Sequence, residues 1–209
     1  MNTAILATAA SLLASTAMAE ISTKIVTFEN EGTTLRGTLY LPENHDGTPL
    51  PVVVVTGAWT SVEEQMPATY AREMAERGLA AFTFDFRGWG KSGDLENAVR
   101  YKEDPPAKTS DIRAAIAAVA ELPEVAPARI NGLGICASAG YMVDATAGNP
   151  LVDRVGLVAP WLHNREIVEE VYGGAEGVAG LIEVSRQAEA AGGDLPPAAG
   201  PEGDEGVLL

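Results

Sequence analysis

Four short runs of aliphatic and β-branched residues recur along the chain, at residues 51–56, 79–85, 129–135 and 154–159, with helical-period segments between them. Each run is continuous rather than alternating and too short for a stable helix. That pattern suits strands buried on both faces of a sheet. Ser61 with Glu64 three residues later fits a capping box that opens a helix to about Arg77, with Gly78 as its stop. Residues 104–109 contain Pro105-Pro106 and are expected to be loop, with Thr109 or Ser110 capping a helix through Ile112, Ile116, Val119 and Leu122. Helices are further expected at 137–147, 164–172 and 177–191. Before all of these, residues 24–29 and 35–41 flank Asn30-Glu31-Gly32 as a hairpin. The sum is an α/β fold: a mostly parallel sheet flanked by helices, with an N-terminal antiparallel hairpin. Chemistry on such a sheet belongs at the carboxyl ends of its strands.

The two ends have a different character. Residues 1–19 carry a short Ala/Leu/Ile/Ser/Thr run closing in Ala17-Met18-Ala19, the small-x-small pattern of a cleaved export signal, although residues 1–3 lack a basic side chain. This predicts a periplasmic or secreted protein. Residues 192–209 are mostly Gly, Pro, Ala and acid, an aperiodic tail. The domain is therefore expected over residues 20–191. A net charge of −15 argues against nucleic acid or an anionic membrane as partner. The single cysteine, Cys136, excludes an intrachain disulfide, and two histidines with no ligand spacing around them point to no metal site.

The most informative segment is Arg129 to Tyr141, where a buried strand ends in Gly134-Ile135-Cys136-Ala137-Ser138 and a helix starts at once. A nucleophile held on a sharp strand-to-helix turn needs small residues two before and two after it, and Gly134 and Ser138 supply them. The helix N-terminus would favour a thiolate at Cys136, and the Ala137 N–H would serve as an oxyanion donor. Gly140 is expected to let the helix approach the sheet. Ser138 is the alternative nucleophile, since Cys136-Ala137-Ser138-Ala139-Gly140 also reads small-x-Ser-x-small, but a turn there would need two more strand residues.

With that turn, two earlier segments complete a resemblance. Val52-Val53-Val54-Val55-Thr56-Gly57-Ala58-Trp59 resembles the strand and loop that supply the first oxyanion donor in the α/β-hydrolase superfamily, through the N–H of Ala58 or Trp59. Phe84-Asp85-Phe86-Arg87-Gly88-Trp89-Gly90-Lys91-Ser92-Gly93 resembles that superfamily's Asp-x-Arg-Gly-x-Gly-x-Ser loop. The Gly-x-Cys-x-small turn is similar to dienelactone hydrolases and to bacterial hydrolases near the Xaa-Pro and prolyl-oligopeptidase-like groups. The resemblance implies hydrolysis of an ester, lactone, thioester or amide through a covalent acyl-enzyme, with no cofactor. It also implies a triad acid and histidine on later strands.

Those strands are not found after residue 191, so the sequence reads as an α/β-hydrolase fold lacking its last strands. The 154–159 strand is then expected as an open apolar edge. His163 is the one histidine near a strand's carboxyl end and is a surrogate base or a substrate-lining residue; His45 is expected in an exposed loop. Asp144, Asp153, Glu166 and Glu169 are expected to be solvated charges, Asp85 and Arg87 a bracing ion pair, and Trp59, Trp89, Trp161 and Tyr141 the walls of an apolar pocket. Two functions remain open: an acyl hydrolase, or a non-catalytic α/β-hydrolase-like domain without acid and base.

Overall fold

The computed structural model describes residues 21–95, 98 and 100–192. The expected export signal and almost all of the acidic tail lie outside the described residues.

The hairpin forms first. Strands β1 (Ser22–Asn30) and β2 (Thr33–Leu41) pair antiparallel through a two-residue turn. Glu31 and Gly32 both have positive φ, +49° and +80°, which matches the right-handed twist of the strands they join. Strands β3 (Leu50–Thr56), β4 (Ala80–Phe84), β5 (Val125–Ile135) and β6 (Val152–Val158) complete a six-stranded sheet in the order β1-β2-β4-β3-β5-β6. The β4–β3, β3–β5 and β5–β6 pairs are parallel, and β2 joins β4 antiparallel.

Alternation along β3 shows why its sequence is uninterrupted valine. Val52 and Val54 enter a core with Phe82, Ile112, Ile116 and Met142, whereas Val53 and Val55 face Tyr70 and Met74 on the other side. Helix α1 (Met66–Glu76) covers that second face, and α2 (Pro105–Ala120) and α3 (Ser138–Thr146) cover the first. Helices α4 (Arg165–Val171) and α5 (Gly174–Ala191) follow β6 and pack on each other.

Two helix starts differ from expectation. No capping box forms at Ser61: its hydroxyl turns back to the Ala58 carbonyl at 2.7 Å, and α1 begins only at Met66, where Pro67 suits the first turn. Glu64 is instead paired with Lys91. Conversely, the expected loop at 104–109 is already helix. Asp104 is the cap, accepting from the Ala107 N–H at 3.0 Å, and Pro105-Pro106 occupies first-turn positions whose N–H groups need no partner.

Strand β6 is the third correction. It pairs with β5 but is not buried; Val155 and Leu157 stay about two-fifths exposed, at 39% and 41%. Among the described residues no strand covers its outer edge, which is the open apolar edge expected from the sequence.

Candidate active site

The carboxyl ends of β3, β4, β5 and β6 lie along one edge of the sheet. The chain leaves β3 toward β4 on one side and then crosses to β5 on the other, so a crevice opens beyond β3 and β5. Backbone strain collects at this edge. Thr60 follows β3 with φ +57°, Cys136 follows β5 with φ +57°, and Ala159 follows β6 with φ +44°. Left-handed backbone at a non-glycine residue costs roughly 1–2 kcal/mol, and such residues gather where a site needs an unusual geometry.

At Cys136 the strain is over-determined by its neighbours. Its N–H donates to the Val158 carbonyl at 3.0 Å, and its carbonyl accepts from Ala139 at 3.1 Å and Trp161 at 3.0 Å. The thiol side chain is half-buried. Ala137 is already in right-handed helical geometry and caps α3, so its N–H belongs to the set a helix start leaves unpaired by its own turns.

The small residues around the turn have separate reasons. A Cβ on Gly134 would stand 2.7 Å from both the Ala139 Cα and the Ser138 carbonyl oxygen. Gly134 is thus where α3 touches the sheet. Gly140, expected in that role, instead faces the cleft and Leu162. Ser138 is 1% exposed, and its hydroxyl donates to the Gly57 carbonyl, tying α3 to the loop after β3.

That loop carries the expected donors Ala58 and Trp59. Both the Ser61 hydroxyl and the Ser61 N–H donate to the Ala58 carbonyl, at 2.7 and 3.4 Å, closing a tight turn. The Trp59 indole N–H donates to the Tyr141 hydroxyl at 3.2 Å, and that hydroxyl donates to Glu103 Oε1 at 3.0 Å. Lys108 Nζ reaches Glu103 Oε2 at 2.7 Å from behind. Burial, then the Glu103 carboxylate, push the Tyr141 phenol well above its ordinary range, so it remains a donor. Burial lowers the Lys108 ammonium, opposed by Glu103, and its Nζ lies over the rings of Phe86 and Trp89 at 4.7 and 4.5 Å.

A cleft of about 650 Å³ opens against the turn, with Trp59, Ala137, Tyr141, Trp161, His163 and Tyr172 among its lining residues. Of the two candidate loop donors, Trp59 lines it and Ala58 does not. The His163 ring stands edge-on to Trp59, Trp161 and Tyr172, with centroids 5.0, 5.1 and 6.2 Å away. Its partial burial lowers its pKa below the usual histidine value. Among the described residues no hydrogen bond joins His163 to Cys136 or to a carboxylate. His45 lies half-buried in the 42–49 loop, its Nε2 2.9 Å from the Thr48 carbonyl.

The Asp85–Arg87 pair is not formed. Asp85 accepts from the Glu63 and Lys91 N–H groups, each at 2.8 Å, while Arg87 pairs with buried Asp111 at 2.6 Å and with Glu31 at 2.8 Å. Loop residues two apart that point to opposite anchors brace the loop better than one internal bond. Trp89 is also not a cleft wall; it is 3% exposed and packs against Lys108. Asp144 and Asp153 are exposed, and Glu169 pairs with Arg165 at 2.7 Å.

Sequence reading missed Glu103 and Lys108. The signal was present: Lys108 shares helical spacing with Ile112, Ala115 and Val119, so a cation sits in an apolar stripe.

A six-stranded, mostly parallel sheet flanked by helices, with a strained strand-to-helix turn at its carboxyl edge, defines a protein of the α/β-hydrolase fold. Comparison with known proteins agrees. The model of the dienelactone hydrolase family matches residues 35–168. Uncharacterized protein PA2218 of Pseudomonas aeruginosa is 38% identical over 138 residues, which are 66% of this chain and 36% of that protein. Its crystal structure superposes with a TM-score of 0.72 at 31% identity, over 89% of this chain and 60% of that one. Uncharacterized protein YcjY of Escherichia coli is 32% identical over 131 residues, 62% of this chain and 42% of the relative. The α/β hydrolase GrgF from Penicillium sp. sh18 shares the fold, with a TM-score of 0.65 at 21% identity over 88% of this chain and 61% of that one. The chain belongs to the dienelactone hydrolase family. It spans about two-fifths of the length of the two curated relatives it matches here.

Proposed function

We propose that this chain carries the nucleophilic part of an acyl hydrolase, with Cys136 as the attacking group. The observation behind this reading is the left-handed backbone at Cys136, φ +57°, between β5 and α3 and beside an aromatic cleft. The Cys136 side chain also packs against the cluster of Val53, Val55, Leu133 and Ile135, but left-handed non-glycine residues gather at functional sites, and this reading gives the strain that reason. Ser138 is disfavoured because its hydroxyl is buried and committed to the Gly57 carbonyl.

In this reading the Cys136 thiolate attacks the carbonyl carbon of an ester, lactone, thioester or amide. The oxyanion is held by the Ala137 N–H and by that of Trp59 or Ala58. The leaving alcohol, thiol or amine departs with a proton, leaving an S-acyl enzyme. Water then cleaves the thioester, releasing the acid and restoring the thiol. The start of α3 places N–H groups without helical partners next to the thiol, where charge develops during attack. Of the two histidines, His163 lines the cleft that Ala137 also lines, and in this reading it takes the part of the base.

A second reading is a domain that cannot turn over alone. It is favoured by the absence, among the described residues, of a histidine bonded to an acid near Cys136. Stopped-flow release of p-nitrophenol from p-nitrophenyl acetate separates the two. The nucleophile reading expects a burst stoichiometric with protein, together with an acetyl adduct in the intact mass. The second reading adds that steady turnover after the burst is slow. No burst and no adduct contradict the assignment of Cys136.

A further inference from the structure

We propose that the cleft beside Cys136 selects uncharged substrates presenting a flat apolar ring near the scissile carbonyl, and discriminates against those carrying a carboxylate there. The proposal rests on Cys136 being the nucleophile.

The cleft has the size of a small-molecule site, about 650 Å³. Its walls are rings and branched aliphatics that stay open to solvent. Trp161 is 36% exposed, Leu181 44% and Ile182 46%, although all three line one concavity. Apolar surface of that kind is stabilised when a ligand covers it. Trp59 cannot swing away to fill the space, because its indole N–H is tied through Tyr141 to Glu103. The Trp59 and Tyr141 rings are therefore held in place before any ligand arrives, which lowers the ordering cost of binding there.

Charge supplies the second half of the selection. Among the described residues the cleft wall carries two acids, Glu103 and Asp144, and no lysine or arginine. The cation that balances Glu103 does not reach the cleft. Lys108 has a side chain only 3% exposed, on the far side of Glu103 and under the rings of Phe86 and Trp89. Both Glu103 oxygens are already accepting, from Tyr141 and from Lys108. An entering carboxylate would meet these acids with no cation to pair with, while an uncharged ring would lose nothing. His163 also lines the cleft, and its partial burial lowers its pKa, which disfavours a cation there.

Cys136 is the only cysteine in the chain, so alkylation reads this one thiol, which is next in sequence to Ala137 on the cleft wall. The full chain is reacted with iodoacetamide, iodoacetate and N-benzyl iodoacetamide, and each rate is normalised to the same reagent's rate with glutathione. The benzyl reagent is expected to gain about tenfold over iodoacetamide from ring contacts. Iodoacetate is expected to fall about tenfold below iodoacetamide through like-charge repulsion. The N-terminus of α3 by itself would favour the anionic reagent, so a penalty reports the cleft acids rather than the turn. Trp161→Ala should remove most of the benzyl advantage, and Asp144→Asn should shrink the iodoacetate penalty; both residues are exposed, so neither change disturbs the core. Equal normalised rates for all three reagents overturn the proposal while leaving Cys136 reactive. Failure of every reagent to modify Cys136 overturns the nucleophile assignment itself, and this proposal with it.

Discussion

Replacing Cys136 by glycine and by alanine isolates the strain at the turn from the chemistry of the thiol. Both variants lose the sulfur, so its packing and reactivity cancel in the comparison. What differs is one Cβ on a backbone with φ +57°. Alanine keeps the left-handed cost of roughly 1–2 kcal/mol. Glycine escapes it but gives up about 0.5–1 kcal/mol in unfolded-chain entropy. The site is half-buried, so the methyl itself adds only a few tenths of a kcal/mol. The balance favours Cys136→Gly over Cys136→Ala by about 0.5–1 kcal/mol, or about 1–4 °C in melting temperature for a domain of this size. A helical control gives the opposite sign: Ala117→Gly, on the exposed face of α2, should cost about 1 kcal/mol. Urea unfolding followed by circular dichroism measures all three. If Cys136→Ala equals or exceeds Cys136→Gly in stability, the turn is not strained and the reasoning fails.

Other outcomes follow from the same geometry. Gly134→Ala places a Cβ 2.7 Å from backbone atoms of Ser138 and Ala139, so α3 must move; about 2 kcal/mol of stability and most Cys136 reactivity should be lost, as read by urea midpoint and alkylation rate. Arg87→Ala strips buried Asp111 of its cation and should cost about 3 kcal/mol by urea unfolding, whereas Arg154→Ala, at an exposed side chain, should cost almost nothing. Glu63 is buried, and that burial, with help from Asp85, raises its pKa. A raised folded pKa means that folding favours the protonated form. This contribution is complete below the ordinary carboxylate value and is lost as pH rises through the raised one. Wild type should therefore lose stability relative to Glu63→Gln as pH rises from below the ordinary carboxylate value, and a widening gap in its favour would refute the sign.

Much of the sheet was legible because its strands carry their own signal. The valines of β3 face two cores at once, so no alternation was needed to recognise a strand buried on both faces. The hairpin was legible from Asn30-Glu31-Gly32, whose last two residues adopt positive φ. Helix starts were less legible because several residues could cap, and tertiary partners decided. Ser61 and Glu64 fit a capping box until the Ala58 carbonyl and Lys91 claim them. β6 looked buried because its composition is that of an inner strand, yet burial depends on what lies beyond it. At the site, the strand–Cys–helix order pointed to Cys136 and Ala137, and the valine strand and its loop to Ala58 or Trp59. The Lys108–Glu103–Tyr141–Trp59 chain was hidden because its members come from four segments that only the fold brings together.

The central claim is that Cys136 is the acylated residue. Its most direct test is peptide mapping by mass spectrometry after brief exposure of the chain to p-nitrophenyl acetate at neutral pH. An acetyl group is expected on Cys136, retained in Ser138→Ala and absent in Cys136→Ala. Acetylation of Ser138, or of any residue that persists when Cys136 is replaced by alanine, would contradict it.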